Sequence, residues 1–449
     1  MKNPSCLSGL MDVLALMNYD SIPEEVRKKA KICMADFVGV FYLGSVKPES
    51  KRLFEALGGG KILKEPEKLA LWMASAARLL DLDDGHRFAM GHPGVVINAA
   101  AIATAANTPG VKGEKVLEAI VKGYEVYSYQ GRAINPSAYL QRGFDATSIC
   151  GAAAAAVVAG TIIGLDEDQI SDAISLAASL CGGLNQYAIE GSSPKYLCAG
   201  WACNLGITAA NLAKYGMGGP AGIFEGRLGY CNGFSPNPNL ELLNNPTLKW
   251  EIQYVYLKKY SCVRRIHATL DAVEQIFNSQ GLFADQVKEI DVFGGQFLCD
   301  AAIYQPDDLV KAQTSVPYTV ALLMAYGEVS CDLVDGNLDN PKIAELSKLV
   351  KVIKDEEFVR LAEKEPSLWG AARVEITTIA GEKYVEQSNV AIGDPENPFS
   401  KEVIHKKFVG LVGQVIGNEK AEGIWSNICS LEQSGELEQL LTTMRNRRQ

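Results

Sequence analysis

The sequence has few of the residues that metal centres and disulfide frameworks need. It contains four histidines, eleven cysteines scattered over 449 residues and no Cys-x-x-Cys pair. Cysteines in odd number and without paired spacing predict neither a zinc site nor a disulfide scaffold, and they are typical of reduced, buried thiols. We therefore expect no metal and a cytoplasmic location.

Long basic runs and a phosphate loop are also missing, and from the pattern of the first residues we expect no secretion signal. The net charge is −10, and no run of Lys or Arg is long enough to follow a nucleic-acid backbone, so we expect no nucleic-acid and no membrane partner. The glycine-rich run 58–61 lacks the spacing of a phosphate-binding loop. The uncharged stretch 146–165 consists mainly of small residues that gain little from lipid, which favours a packed core helix over a membrane span.

Hydrophobic spacing predicts a mainly helical chain whose pattern changes near residue 260. Before that point the helical windows are 26–44, 68–80, 96–107, 114–134, 146–165, 168–180 and 201–215. After it, a strand is predicted at 287–293, a hairpin at 373–379 and 383–386, and helices at 315–326 and 356–361. Helical spacing returns at 400–410 and 436–445. We predict a helical part over 1–260, an α+β part over 261–396 and C-terminal helices over 397–449.

The segment 81–94, DLDDGHRFAMGHPG, concentrates reactive groups between two predicted helices. It holds three aspartates, one arginine and two of the four histidines, namely Asp81, Asp83, Asp84, Arg87, His86 and His92. Imidazole beside carboxylate is the pairing that fixes a tautomer for acid or base catalysis near neutral pH. From the residues alone, a metal site and a solvated loop remain as alternatives.

Three further clusters contain candidate anion-binding groups. Asp145 directly precedes the Ala-rich stretch, where Thr147 and Ser148 are candidate helix caps. Lys195 follows a Gly-Ser-Ser-Pro loop, and the cationic stretch 258–268 lies at the predicted junction. The plain alternatives are a salt-bridged turn, a surface lysine and a set of interdomain salt bridges.

In chain order these motifs resemble the MmgE/PrpD family. Each motif is weak alone, but the ordered set is specific and covers nearly the whole chain. The matching pieces are 81–84 with His92 and Pro93, 123–125, 142–144, Lys195 with Gly200, 215–220 with 225–226, 259–260 through His267 and Asp271, and 315–318.

The resemblance implies a large all-helical domain built from both chain ends, a smaller inserted α+β lid, a homodimer and no cofactor or metal. It also implies an active site between the two domains for a small polycarboxylate. By motif, the implied catalytic residues are Asp81, Asp83, His92, Lys195 and His267. The residues expected to bind substrate are His86, Arg87, Asp145, Arg264, Arg265 and Tyr318.

The sequence departs from the family pattern at three positions. Asp145 and Cys198 stand where members commonly have histidine, and Gly85 stands where a threonine often follows the aspartate motif. These departures favour a substrate other than 2-methylcitrate.

The expected function is a cofactor-independent hydro-lyase, similar to 2-methylcitrate dehydratase, that removes a proton next to a carboxylate. An epimerase or racemase similar to iminodisuccinate epimerase is one alternative, and a decarboxylase is another. A family member that binds carboxylates without catalysis is the alternative of a different class.

Overall fold

The structure, a computed structural model, describes residues 5–365, 368–433 and 439–440 of the chain. The protein is mostly helical with two small sheets, which confirms the predicted fold class at that level. In the described residues no helix is both long and apolar enough to cross a membrane.

The first part of the chain, up to residue 256, is helical apart from two very short strands. Its helices are α1 (Cys6–Ala15), α2 (Glu24–Ser45), α3 (Pro48–Ala56), α4 (Pro66–Leu79), α5 (Pro93–Ala106), α6 (Gly113–Ile134), α7 (Ser137–Leu140), α8 (Ala146–Ile163), α9 (Glu167–Leu180), α10 (Tyr187–Glu190), α11 (Pro194–Lys214), α12 (Tyr230–Phe234) and α13 (Glu241–Asn244). Strand β1 (Gly85–His86) pairs antiparallel with β2 (Val255–Tyr256).

The Ala-rich helix α8 is the centre of the first hydrophobic core. Every residue from 146 to 162 is buried, and α6, α9 and α11 pack around the helix. Small residues permit this close packing: a Cβ on Gly206 of α11 would lie 2.4 Å from the Ala152 carbonyl oxygen. The prediction of a buried core helix at 146–165 is confirmed.

The second part of the chain builds its own hydrophobic core around a four-stranded sheet. The sheet order is β4-β3-β5-β6, parallel between β3 and β4 and antiparallel elsewhere. The elements are α14 (His267–Gln280), β3 (Val287–Gly294), α15 (Gln296–Cys299), α16 (Leu309–Thr314), α17 (Val316–Tyr326), α18 (Cys331–Gly336), α19 (Pro341–Ser347), β4 (Val350–Lys354), α20 (Glu356–Lys364), β5 (Ala372–Thr378) and β6 (Lys383–Ser388). Short 3-10 turns span Gly59–Lys64, Glu251–Tyr254, Arg264–Ile266 and Ala284–Gln286.

Two C-terminal helices, α21 (Lys401–Ile416) and α22 (Asn418–Cys429), pack against α2 of the first part. Phe408 and Val412 are buried in the first hydrophobic core together with residues from the start of the chain. The domain boundaries near 260 and 396 stay predictions. Most of the helix predicted at 436–445 lies outside the described residues.

Candidate active site

A cavity of about 210 Å³ lies between the two parts of the chain. Its lining residues come from both parts: Arg78, His86, Arg87, Met90, Gly91, His92, Tyr139, Tyr187, Ala188, Lys195, Tyr256, Val263, Arg264, Arg265, Phe297, Val310, Thr314, Trp369 and Gly370. Five of these described residues are Arg or Lys and none is Asp or Glu. A concave site lined by cations on an acidic protein is suited to a small polyanion.

Arg78, His92 and Lys195 form one side of this cavity, which we call the helical wall. Asp81 lies directly behind it, with no exposed surface. The Asp81 carboxylate accepts hydrogen bonds from Arg78 Nη1 at 2.8 Å and Lys195 Nζ at 2.9 Å, and it also pairs with Lys258. Burial alone would raise the pKa of Asp81, but Lys195, Lys258 and Arg78 outweigh burial and hold it well below its usual range. Asp81 is therefore a fixed counter-charge for three cations.

The backbone at Asp81 has φ 51°, in the left-handed region that few non-glycine residues occupy. The Lys258 ammonium helps to hold this conformation, because it donates to the Asp81 carbonyl at 3.0 Å as well as to the side chain. Backbone held in such a region is a frequent feature of functional sites.

The imidazole of His92 is held by a hydrogen bond to the Asp84 carbonyl and by the nearby charge of Asp83. The His92 Nδ1 atom lies 3.0 Å from Asp83 Oδ2 and 2.8 Å from the Asp84 carbonyl oxygen. Since both neighbours are acceptors, Nδ1 carries the hydrogen, which leaves the Nε2 lone pair of neutral His92 free. Burial and Arg78 lower the pKa of His92, while Arg78 and His92 hold the pKa of Asp83 at about 2 against the effect of burial.

Asp84 faces away from the cavity, into the helical core. Its carboxyl group accepts hydrogen bonds from the Gly94 amide at 2.8 Å and the Tyr124 hydroxyl at 2.7 Å, at the start of α5. Burial, with Asp36 and Asp83 nearby, raises the pKa of Asp84 to about 7. Asp84 therefore supports the segment without supplying a stable charge.

Arg264, Arg265, Phe297 and Trp369 form the opposite side of the cavity, which we call the arginine wall. Arg264 is bound by the buried Asp394 through two hydrogen bonds, and Arg87 beside it pairs with Glu396. Arg265 differs, because it has no ion pair with any described residue and its Nε atom is buried without a hydrogen-bond partner. Its guanidinium group lies 4.5 Å from the centre of the Phe297 ring. The positive charge of Arg265 therefore has no acidic partner among the described residues and is available to an anionic ligand.

Two of the predicted histidines are placed differently from expectation. His86 lines the cavity, but it has no exposed surface and both ring nitrogens have partners: Nε2 donates to Glu251 at 3.0 Å and Nδ1 accepts from the Ala89 amide. His267 does not line the cavity; it is 1% exposed at the start of α14, and its Nε2 donates to the Cys262 carbonyl. His86 therefore has no ring nitrogen free for a ligand, whereas Nδ1 of His267 is buried without a hydrogen-bond partner; the roles expected of both residues stay predictions.

Asp145 and Tyr318 also form hydrogen bonds within the protein. Asp145 caps α8 by accepting from the Ser148 amide at 2.7 Å, and it accepts the Tyr187 hydroxyl as well; the cap is therefore Asp145 and not Thr147 or Ser148. Tyr318 is buried in the second hydrophobic core and donates its hydroxyl to the Val334 carbonyl at 2.8 Å. Neither lines the cavity, and the substrate contacts expected of both stay predictions.

The described part of the chain shows neither a disulfide nor a cluster of possible metal ligands. All eleven cysteines lie there and are free thiols. Burial and Asp145 raise the pKa of Cys198 to about 12, so this residue is a neutral thiol near neutral pH. Within the same residues no three His, Cys, Asp or Glu side chains gather closely enough to hold a metal ion.

The structure adds residues to the site that sequence reasoning missed. Arg78 completes the charge cluster on Asp81 together with Lys258, which belongs to the cationic stretch 258–268 already singled out in the sequence, and Tyr139, Tyr256 and Trp369 line the cavity. The position of Arg78, one helical turn before Asp81, was a usable signal for a local pair. For Tyr256 and Trp369 the sequence contains no such signal, because the pairing of distant segments brings them to the site.

Comparison with known proteins follows the same division of the chain. Residues 9–243 match the MmgE/PrpD N-terminal domain, and residues 260–433 match the MmgE/PrpD C-terminal domain. A cis-aconitate decarboxylase from Aspergillus terreus is 24% identical over 462 residues, which cover 94% of this chain and 92% of the relative. The cis-aconitate decarboxylase-like protein oryM from Aspergillus oryzae is 26% identical over 456 residues, which cover 94% of this chain and 93% of the relative.

Proposed function

The chain belongs to the MmgE/PrpD family, and on that premise we propose that it is a lyase that decarboxylates a small unsaturated tricarboxylate of the cis-aconitate type. The observation that carries the proposal is the cavity itself, in which five cations face a single imidazole with a free nitrogen. Such a site binds several carboxylates and supplies one proton-transfer group.

Decarboxylation of cis-aconitate requires one proton and no abstraction of hydrogen from carbon. When the carboxylate on the CH2 carbon leaves as CO2, the electron pair of the broken C–C bond spreads over the adjacent C=C bond. One proton then adds at the far end of this allylic system, which gives a dicarboxylate with a terminal methylidene group. Because the allylic system and its carboxylates accept the electron pair, the chemistry needs no cofactor.

The helical wall is suited to the proton transfer and the arginine wall to binding. We assign the proton transfer to His92, because Asp83 at 3.0 Å stabilises the imidazolium that forms when an anionic ligand raises the pKa of the ring. Lys195, held by Asp81 and Gln313, neutralises charge that develops next to a substrate carboxylate. Arg87, Arg264 and Arg265 bind the remaining carboxylates.

Dehydration of a citrate-like acid is the second candidate. It needs a base for a carbon-bound proton and an acid for the leaving hydroxyl, and neutral His92 with the Lys195 ammonium provides one of each in the same cavity. Epimerisation by two opposed bases has less support, because His86 has partners on both nitrogens and His267 lies outside the cavity.

Product analysis with the purified protein tests the proposal. Incubation with cis-aconitate is expected to yield CO2 and the methylidene dicarboxylate in equal amounts, measured by NMR. Release of water from a citrate-like acid, with no CO2 from cis-aconitate, would favour dehydration instead. If cis-aconitate raises the thermal unfolding midpoint and no substrate turns over, the protein is a carboxylate-binding member and the proposal is wrong.

Two substitutions test the assigned residues. His92→Gln removes the proton-transfer group and is expected to lower kcat by about 100- to 10,000-fold. Lys195→Met is expected to lower kcat by about 100- to 1,000-fold. His405→Gln is the matched control, because His405 pairs with Glu422 on α22, outside the cavity lining. Near-normal activity of both His92→Gln and Lys195→Met would contradict the assignment.

We further propose a homodimer, as the family resemblance implies. Supporting this, Leu180 and Trp201 are 63% and 58% exposed and line one shallow groove beside α9 and α11. Trp201→Glu is expected to shift the mass measured by light scattering from two chains to one. A monomeric wild-type protein at micromolar concentration would contradict the dimer.

A further inference from the structure

The short strand pair β1 and β2 places one aromatic residue across a glycine. In the antiparallel register, Gly85 lies opposite Tyr256. A Cβ on Gly85 would lie 2.2 Å from the Tyr256 hydroxyl oxygen and 2.3 Å from Cζ, far inside van der Waals contact. The phenol of Tyr256 therefore occupies the space that any side chain at position 85 would need.

Backbone conformation does not require glycine at this position. The φ angle of Gly85 lies outside the left-handed region, so an alanine is compatible with the backbone. What glycine provides here is room for the ring of Tyr256.

The Tyr256 hydroxyl differs from the other buried phenols near the site. Those of Tyr124, Tyr187 and Tyr260 donate to Asp84, Asp145 and Asp271, as buried tyrosines usually do. Tyr256 is only 6% exposed and lines the cavity, yet its hydroxyl has no hydrogen-bond partner among the residues that the structure describes. An unpartnered donor at the surface of a cation-lined cavity is available to a ligand.

The position of this phenol relates it to the proposed chemistry. It lies over Gly85, while the preceding residue, Asp84, binds the His92 ring through its carbonyl oxygen. Consecutive residues of one segment thus hold His92 and Tyr256 on the cavity. Arg264 lies 5.5 Å from the centre of the Tyr256 ring, on the opposite wall. Burial raises the pKa of Tyr256, which keeps the phenol protonated at neutral pH.

We propose that the Tyr256 hydroxyl, admitted to the cavity by Gly85, donates a hydrogen bond to a substrate carboxylate between His92 and Arg264, and that the Gly85–Tyr256 pair is a specificity determinant of this enzyme. The inference rests on the proposed function, since it assumes a polycarboxylate in this cavity. It goes beyond that function by assigning one contact to Tyr256 and a role to Gly85, one of the three positions at which the sequence departs from the family pattern.

Calorimetric titration of cis-aconitate into wild-type protein and Tyr256→Phe tests the contact. The substitution removes one oxygen and preserves the ring, so the unfolding midpoint should change little. The dissociation constant should rise about 10- to 100-fold, the range for a hydrogen bond to a charged group. Tyr326→Phe is the matched control, because Tyr326 is 46% exposed and donates to Asn337 away from the cavity.

A second set of variants tests the role of the glycine. Gly85→Ala should weaken binding at least as much as Tyr256→Phe, because the added Cβ displaces the phenol. In the Tyr256→Ala background the same Gly85→Ala change should have no further effect. Gly85→Ser combined with Tyr256→Ala should regain affinity over Tyr256→Ala alone, because a serine hydroxyl on that Cβ lies close to the vacated position of the phenol oxygen.

Failure of this inference and failure of the proposed function give different results. If the wild-type protein binds neither cis-aconitate nor citrate, the proposed function is wrong. If the wild-type protein binds cis-aconitate and Tyr256→Phe binds it equally well, or if Tyr326→Phe loses as much affinity, the role of Tyr256 is wrong while the proposed function stands.

Discussion

The two walls of the cavity are both cationic, but their positive charges are balanced differently. On the helical wall, Arg78 and Lys195 share the buried carboxylate of Asp81, and Asp83 binds both Arg78 and His92. On the arginine wall, Arg264 is paired with Asp394, and Arg265 has no acidic partner in the described part of the chain. The cations of one wall already share buried carboxylates without a ligand, and the other wall contains a cation with no acidic partner.

This difference separates positioning from binding. Groups that transfer protons must be held in place before the substrate arrives, which the aspartates behind the helical wall achieve. A partly desolvated guanidinium without a partner is unfavourable until an anion binds, and burial accordingly lowers the pKa of Arg265. We infer that the helical wall performs the chemistry and that the arginine wall provides the affinity.

Asp81→Asn should have the largest effect, because it removes the charge that completes the helical wall. Arg78, Lys195 and Lys258 would then repel one another in a buried cluster. We expect a loss of about 3 to 5 kcal/mol in the free energy of unfolding, measured by denaturant titration, and turnover below about 1% of wild type. Asp307→Asn is the control, since Asp307 pairs with Lys311 in an exposed position. If Asp81→Asn is as stable as wild type, Asp81 does not balance the cations of the helical wall, and the proposed difference between the two walls is wrong.

Asp84→Asn sharpens the comparison within one segment, since Asp84 follows Asp83 but faces the core. With a pKa of about 7 in the folded protein and about 4 when unfolded, native Asp84 binds an extra proton between those pH values. Stability from this group is present below pH 4 and is lost as the pH rises to about 7. Wild type should therefore lose up to about 4 kcal/mol relative to Asp84→Asn over this window.

Chemical denaturation at a series of pH values measures this effect. The difference in unfolding free energy between wild type and Asp84→Asn should change between pH 4 and 7 and then level off. Parallel pH curves for the two proteins would show that Asp84 is ionised in the fold.

The sequence predicted the fold class and the helical wall better than the arginine wall. Helical periodicity located α4, α5, α6 and α8, and proximity along the chain was enough to join Asp81, Asp83 and His92. The motifs also placed Lys195 and Arg265 at the site. These are cases in which local spacing or a recognised motif determines the neighbour.

Residues whose roles depend on long-range packing could not be assigned in this way. His267 and Tyr318 lie in motifs that match the family, yet burial and their hydrogen-bond partners are set by the second core. Lys407 of α21 donates to Asp36 and to the Leu82 and Lys258 carbonyls, which ties the C-terminal helix to the site segment. No periodicity or motif in the sequence pairs residues more than 300 positions apart.

A matched pair of substitutions tests the arginine wall, with a smaller effect than those above. Arg265→Met removes a cation without exposing a carboxylate, so KM should rise about 10- to 100-fold while stability stays the same or increases. Arg264→Met leaves the buried Asp394 with only a longer contact to Arg87 at 3.9 Å, and should therefore lower stability as well as raise KM. Steady-state kinetics and thermal unfolding measure the two effects. Equal destabilisation by both changes would show that Arg265 is already balanced without a ligand.

Tyr318→Phe should have the smallest effect and tests how far the two walls account for binding. The Tyr318 hydroxyl donates to the Val334 carbonyl inside the second core and does not reach the cavity. Its loss should lower the free energy of unfolding by about 1 kcal/mol and leave kcat and KM within about twofold of wild type. A tenfold rise in KM with unchanged stability would instead place Tyr318 against the substrate, as its motif predicts, and would extend the binding surface beyond the arginine wall.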